Sequence, residues 1–196
     1  MAQLVLTSDT LAGTPATGTL EYNGQFFGTD SAAARAQMQR ITLSTAVAST
    51  SGTSIDFTSL PAWVKRITVM FQGVSTNGTS NLLIQIGSVS LVTTTYVGST
   101  ALVGAATANS VMSTGFMLTP SQGAATTTNG NVILCLQNSS TNLWTENGVL
   151  SSSDAANTAI SGGHRALSGA LDQVRITTVG GTNTFDAGSI NILYEG

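Results

Sequence analysis

From Ile41 onward, apolar side chains alternate with polar ones in short runs, and each run closes on Gly, Asn, Ser or Thr. "VKRITVMFQGVSTNGT" and "LDQVRITTVGGTNTFDAGSINILYEG" show the pattern most plainly. A period of two sends successive side chains to opposite faces of a strand, so one face can enter a core while the other meets solvent. About nine or ten short strands at regular intervals are expected, the signature of a sandwich or barrel. The expected fold is therefore all-β, an antiparallel β-sandwich (jelly-roll-like) over residues 41–196. "SINILYE", the last run, is expected to be held inside a sheet, since an untied terminus frays.

Composition supports this reading. Only 8% of residues are charged, whereas 54 of the 196 are Ser or Thr and 21 are Gly. Solvent-facing helices are built from Glu, Lys and Arg, whereas Thr, Val and Ile suit a pleated surface. Six basic residues and a net charge of −3 exclude a phosphate-binding face, so no nucleic-acid partner is expected. No stretch approaches the length of a membrane-spanning helix, so no membrane insertion is expected. The single cysteine, Cys135, excludes an internal disulfide, and its run "NVILCLQ" places it as a buried thiol. A surface so poor in charge suits a chain that is partly covered by other subunits.

Between the apolar runs, residues 99–110, 120–130 and 151–164 are small and polar. They are expected to be loops, and so the most exposed contact surfaces. "NLWTENGVLSS" resembles a hairpin. Residues 1–40 differ from the rest. "LEYNGQFF" is a hairpin signal, with Asn23-Gly24 suited to a type I′ turn. "DSAAARAQMQR" predicts a helix of two or three turns with Ser31 as its N-cap. Such a segment buries too little to stand alone, so residues 1–40 are expected to be an attachment or linking element, with Tyr22, Phe26 and Phe27 as its contact residues.

Residues that could carry chemistry are few. His164 is the sole histidine, and no G-x-S-x-G elbow accompanies it. Asp172 and Asp186 flank a turn, but Cys and His spacing suits no zinc site, and no metal or cofactor is expected. Asp56, Asp154, Asp172, Asp186, Glu146 and Glu195 are glycosidase carboxylates by type alone, with no spacing that selects a pair. No catalytic residues are assigned, and the chain is expected not to be an enzyme. Trp63, Tyr96, Phe116 and Phe185 fall in apolar runs and read as core. Trp144, in the polar stretch "TNLWTENG", is the candidate for stacking against a glycan.

Two blocks, "IDFTSLPAWVKRITVMFQGVSTNGTSNLLIQIG" and "ALDQVRITTVGGTNTFDAGSINILYEG", cover about a third of the chain. They resemble the C-terminal β-domain of tail-fibre-like virion proteins of tailed phages and prophages. "GTPATGTLEYNGQFFGTDSAAARAQM" resembles the short linking element that precedes such domains. The resemblance implies a bacteriophage virion structural protein made in the host cytoplasm: a homotrimeric short fibre or fibre tip, on tail or head. It would attach to other virion proteins through residues 1–40 and bind host surface glycans. No coiled-coil or collagen-like shaft is present in the sequence. A capsid or tail decoration protein without a receptor role, and a glycan depolymerase, are the alternatives.

Overall fold

A computed structural model describes residues 10–14, 16–23, 25–32, 34–104 and 107–196. The chain divides into two compact units, Met1–Arg40 and Ile41–Gly196.

In the first unit, β1 (Leu20–Tyr22), β2 (Phe26–Thr29) and β3 (Arg35–Gln37) form an antiparallel three-stranded sheet in that order. Tyr22 pairs with Phe26, so residues 23–25 connect β1 and β2 rather than a two-residue turn. Gly24 of the expected Asn23-Gly24 turn lies outside the described residues. The helix expected after Asp30 is replaced by a second hairpin. Asp30, rather than Ser31, organises the bend: its Oδ1 accepts the amide N–H groups of Ala32 and Ala34, each at 2.9 Å. Local propensity favours a helix here, but so short a helix is marginal in water. The strand instead lets the Arg35 guanidinium reach the Glu21 carboxylate, with Nε at 2.7 Å and Nη2 at 3.1 Å.

The second unit comprises β4 (Ile41–Leu43), β5 (Val47–Ala48), β6 (Ser54–Phe57), β7 (Arg66–Thr76), β8 (Leu82–Ser88), β9 (Ser90–Leu91) and β10 (Val97–Gly104). It continues with β11 (Ala108–Val111), β12 (Phe116–Met117), β13 (Thr128–Asn138), β14 (Leu143–Ser152), β15 (Asn157–Ala166), β16 (Gln173–Thr178) and β17 (Phe185–Glu195). The larger sheet runs β11-β10-β15-β14-β13-β7-β17-β4, with β5 also on β17; the smaller runs β12-β8-β16-β6, with β9 on β8. All pairings are antiparallel. Alternate residues of both sheets meet in one core, among them Ile67, Val69, Val132 and Ile192 from the larger and Ile84, Ile86, Val174 and Ile176 from the smaller. This is the expected antiparallel β-sandwich.

Its topology is jelly-roll-like in one respect. β7 with β17, β8 with β16, β10 with β15 and β13 with β14 are nested pairs, as in an antiparallel ribbon rolled onto itself. The layers are unequal, because β13 also pairs with β7 and β14 with β15, which draws three of the four pairs into one sheet. β17 lies between β7 and the short strands β4 and β5, so the run "SINILYE" is paired on both sides within the chain.

Four local expectations are corrected. Residues 99–110 are mostly strand, with β10 pairing β11 from Ser99↔Val111 to Leu102↔Ala108. Residues 151–164 include most of β15, and "NLWTENGVLSS" is one continuous strand rather than a hairpin. Alternate residues of these segments pack on the inner face, among them Thr100, Leu102 and Ala159. Only the stretch before β13 remains largely loop. Cys135 is a free thiol, but it is half-buried on the outward face of β13 rather than in the core.

Candidate functional site

The three-stranded sheet of the first unit sorts its residues cleanly by face. Register places Leu20, Gly28 and Ala36 in one row and Tyr22 with Phe26 in the next. Met38 extends that second row, its amide donating to the Phe26 carbonyl at 2.9 Å. The Tyr22 and Phe26 rings lie 4.9 Å apart, tilted against each other. This face is apolar and carries no charge. Leu20, Phe26 and Met38 remain 61%, 42% and 54% exposed. A groove of about 420 Å³ runs beside Tyr22, Phe26 and Met38, with Gln25, Gln39 and Arg40 at its margin.

The opposite face holds Glu21, Phe27, Gln37 and Arg35. Hydrogen bonding to the Arg35 guanidinium holds the Glu21 carboxyl below the usual range, helped by the Ala12 amide. Of the three expected attachment residues, Tyr22 and Phe26 thus share a face and Phe27 does not. Leu20 and Met38 belong to that face but were not singled out in the sequence. A helical period over "AQMQR" separates Met38 from Phe26, so the sequence pattern alone does not bring the two together.

In the sandwich, the aromatic expectations divide. Tyr96, Phe116 and Phe185 are buried, with Tyr96 edge-on to Phe116 at 4.8 Å. Trp63 is half-buried and packs on Tyr194 at 5.7 Å. Trp144 is only 1% exposed, on the inner face of β14. It therefore offers no ring face to a glycan; of its polar neighbours on the strand, Thr145 and Asn147 face outward, whereas Glu146 points inward beside it.

Carboxylates and His164 are not brought together. His164 faces outward from β15, opposite Val97 on one side and Thr145 on the other. Asp56 makes a bidentate ion pair with Arg175, both oxygens at 2.7 Å. Asp172 accepts the Val89 amide, Asp186 accepts the Ser75 hydroxyl, and Asp154 accepts the Thr127 amide. Glu195 pairs with Arg66 at 3.1 Å. Each of these acids is used within the fold. Among the described residues, no group of three or more His, Cys, Asp or Glu side chains is placed to hold a metal ion.

Glu146 stands apart. It is 3% exposed on the inner face of β14, between Leu134 on β13 and Gly163 on β15. Its Oε1 accepts the Ser161 hydroxyl at 2.7 Å, and its Oε2 has no hydrogen-bond partner among the described residues. Burial pushes its pKa from 4.5 up to about 7, against the opposing pull of the Ser161 hydrogen bond. The Trp144 Nε1 and the Arg165 Nε are also buried without partners on the adjoining inner-face positions.

Compared with protein-family models, with curated proteins and with solved structures, the chain matches none.

Proposed function

We propose that this chain is a structural protein of a bacteriophage particle: a short fibre or fibre tip, assembled as a homotrimer. The Met1–Arg40 unit docks on another particle protein, and the sandwich forms the projecting body. The observation that carries the reading is the apolar face of Leu20, Tyr22, Phe26 and Met38 on a separate three-stranded unit. So small a sheet cannot bury enough to be stable in isolation and is completed by whatever it binds. The sequence resemblance of residues 13–38, 55–87 and 170–196 to phage fibre proteins points the same way, as does a body in which the carboxylates are spent on internal contacts. The glycan contact is not assigned to Trp144, which lies in the core.

The test is complementation of a phage lacking the gene, using the full chain, a chain lacking residues 1–40, and a Phe26→Asp, Met38→Asp double variant. Purified particles are expected to carry the first and not the other two, while circular dichroism of all three shows the same β content for residues 41–196. Normal incorporation of both altered chains would overturn the docking role.

A further inference from the structure

The outward face of β10, β11, β14 and β15 has no Asp, Glu, Lys or Arg at any position. Outward positions follow from the register, since Thr100, Leu102, Ala159, Gly148 and Leu150 point into the core. Val97, Val103, Val111, Val149 and Ile160 alternate with these buried residues and stand out from the sheet. Each is roughly half exposed or more, and Val111 reaches 74%. Around them are Ser, Thr, Ala, Asn, Gly and Leu143, with His164 at one end. The outward face of the neighbouring β13 extends the surface with Asn129, Asn131, Ile133 and Cys135, again without charge. Between the protruding side chains lies a dent of about 230 Å³, lined by Ser99, Ala101, Ile160, Ser161 and Gly162. It is large enough for a branched aliphatic side chain.

We infer that this uncharged sheet face is the contact between copies of this chain, protruding valines of one copy entering the dent of the next. Charge selects the partner. Anionic glycans, lipid headgroups and nucleic acid need cations that this face lacks, and a charged protein surface would leave its own charges desolvated and unpaired against it. A second copy presents the same neutral, aliphatic-studded face, so neither penalty arises. Area is sufficient as well. Five strands spaced about 4.8 Å apart and about eight residues long at about 3.3 Å each span on the order of 600 Å² per copy. Three such faces meeting around a threefold axis, each shared between two neighbours, bury on the order of 1,800 Å² in all. Scattered exposed aliphatics are ordinary on a monomer; here five of them stand on one sheet face with no charge between them.

This inference rests on the oligomeric part of the reading above and is separate from particle docking. The test is the mass of the full chain by sedimentation equilibrium, wild type against a Val149→Lys, Ile160→Lys double variant. A milder Val149→Thr, Ile160→Thr pair keeps strand propensity in case the lysines disturb folding, and Val89→Lys, on the β8–β9 turn, adds charge elsewhere. The wild type is expected to be oligomeric. The lysine pair should weaken association at least a hundredfold, and the threonine pair about tenfold. Val89→Lys should leave the mass unchanged, and all variants should keep the wild-type circular dichroism. A monomeric wild type at micromolar concentration would overturn the inference together with the oligomeric reading. An oligomer indifferent to the sheet-face substitutions would overturn the face alone, leaving the oligomer to another surface.

Discussion

Glu146 holds one carboxyl oxygen on the Ser161 hydroxyl and the other against groups that offer it nothing. Its inner-face neighbours, Leu134, Gly148 and Gly163, cannot neutralise a charge, and the Arg165 guanidinium is turned to the Thr95 carbonyl and the Tyr96 ring. Burial therefore favours its neutral form. Its pKa is about 7 in the fold against an ordinary 4.5. Folded chains thus bind more protons than unfolded ones between these values, and stability falls as pH rises through that window. At about 1.4 kcal/mol per unit, the loss is about 3 kcal/mol, complete above neutrality and absent below about pH 4.5. Thermal melts of the wild type should show the midpoint dropping from pH 5 to pH 8, and Glu146→Gln should flatten that slope; an unchanged slope would contradict the assignment. Trp144→Ala, which empties a fully buried site, should cost about 3–5 kcal/mol in denaturant unfolding. Neither role was legible beforehand. Glu146 stood among six carboxylates of equal standing in the sequence, and only strand register reveals which one points inward.

At the scale of elements, the long strands could be read from alternation because each presents large apolar residues at every second place, as in Ile67, Val69 and Phe71 of β7. β10 and β15 carry a weak hydrophobic signal because, apart from Leu102, their inward residues are small or polar, such as Thr100, Ala159 and Ser161. The short helix was misread for the opposite reason: Ala and Gln favour a helix locally, while the Arg35–Glu21 ion pair and the apolar row of Met38 are visible only once the strands are paired. One position where β7 and β17 cross is more demanding than its sequence suggests. Gly73 and Gly188 both take positive φ, 61° and 88°, beside a register shift. A Cβ on Gly188 would fall on the carbonyl oxygens of Gln72 and Gly73. Gly188→Ala should therefore destabilise the sandwich by on the order of 2 kcal/mol or more, read as a lowered denaturation midpoint. Gly181, whose φ is 64° but whose Cβ would meet no neighbour within 4 Å, should tolerate Ala at a smaller cost, close to 1 kcal/mol.

For the molecule as a whole, the division into Met1–Arg40 and Ile41–Gly196 separates a small sheet with an uncovered apolar face from a sandwich that completes its own core. The composition change near residue 40 was legible, and so was the hairpin that brings Tyr22 and Phe26 together. The face itself was not, because it needs the third strand. Removing residues 1–40 should leave the cooperative unfolding transition of the sandwich within about 1 kcal/mol of the full chain, since its core residues all lie beyond Ile41. The most direct measurement is the protein composition, by quantitative mass spectrometry, of purified particles produced from the genome that encodes this chain. The account predicts the chain at a fixed copy number per particle, in a multiple of three, and retained through density-gradient purification. Its absence from purified particles, with the chain found free in the lysate, would contradict the account.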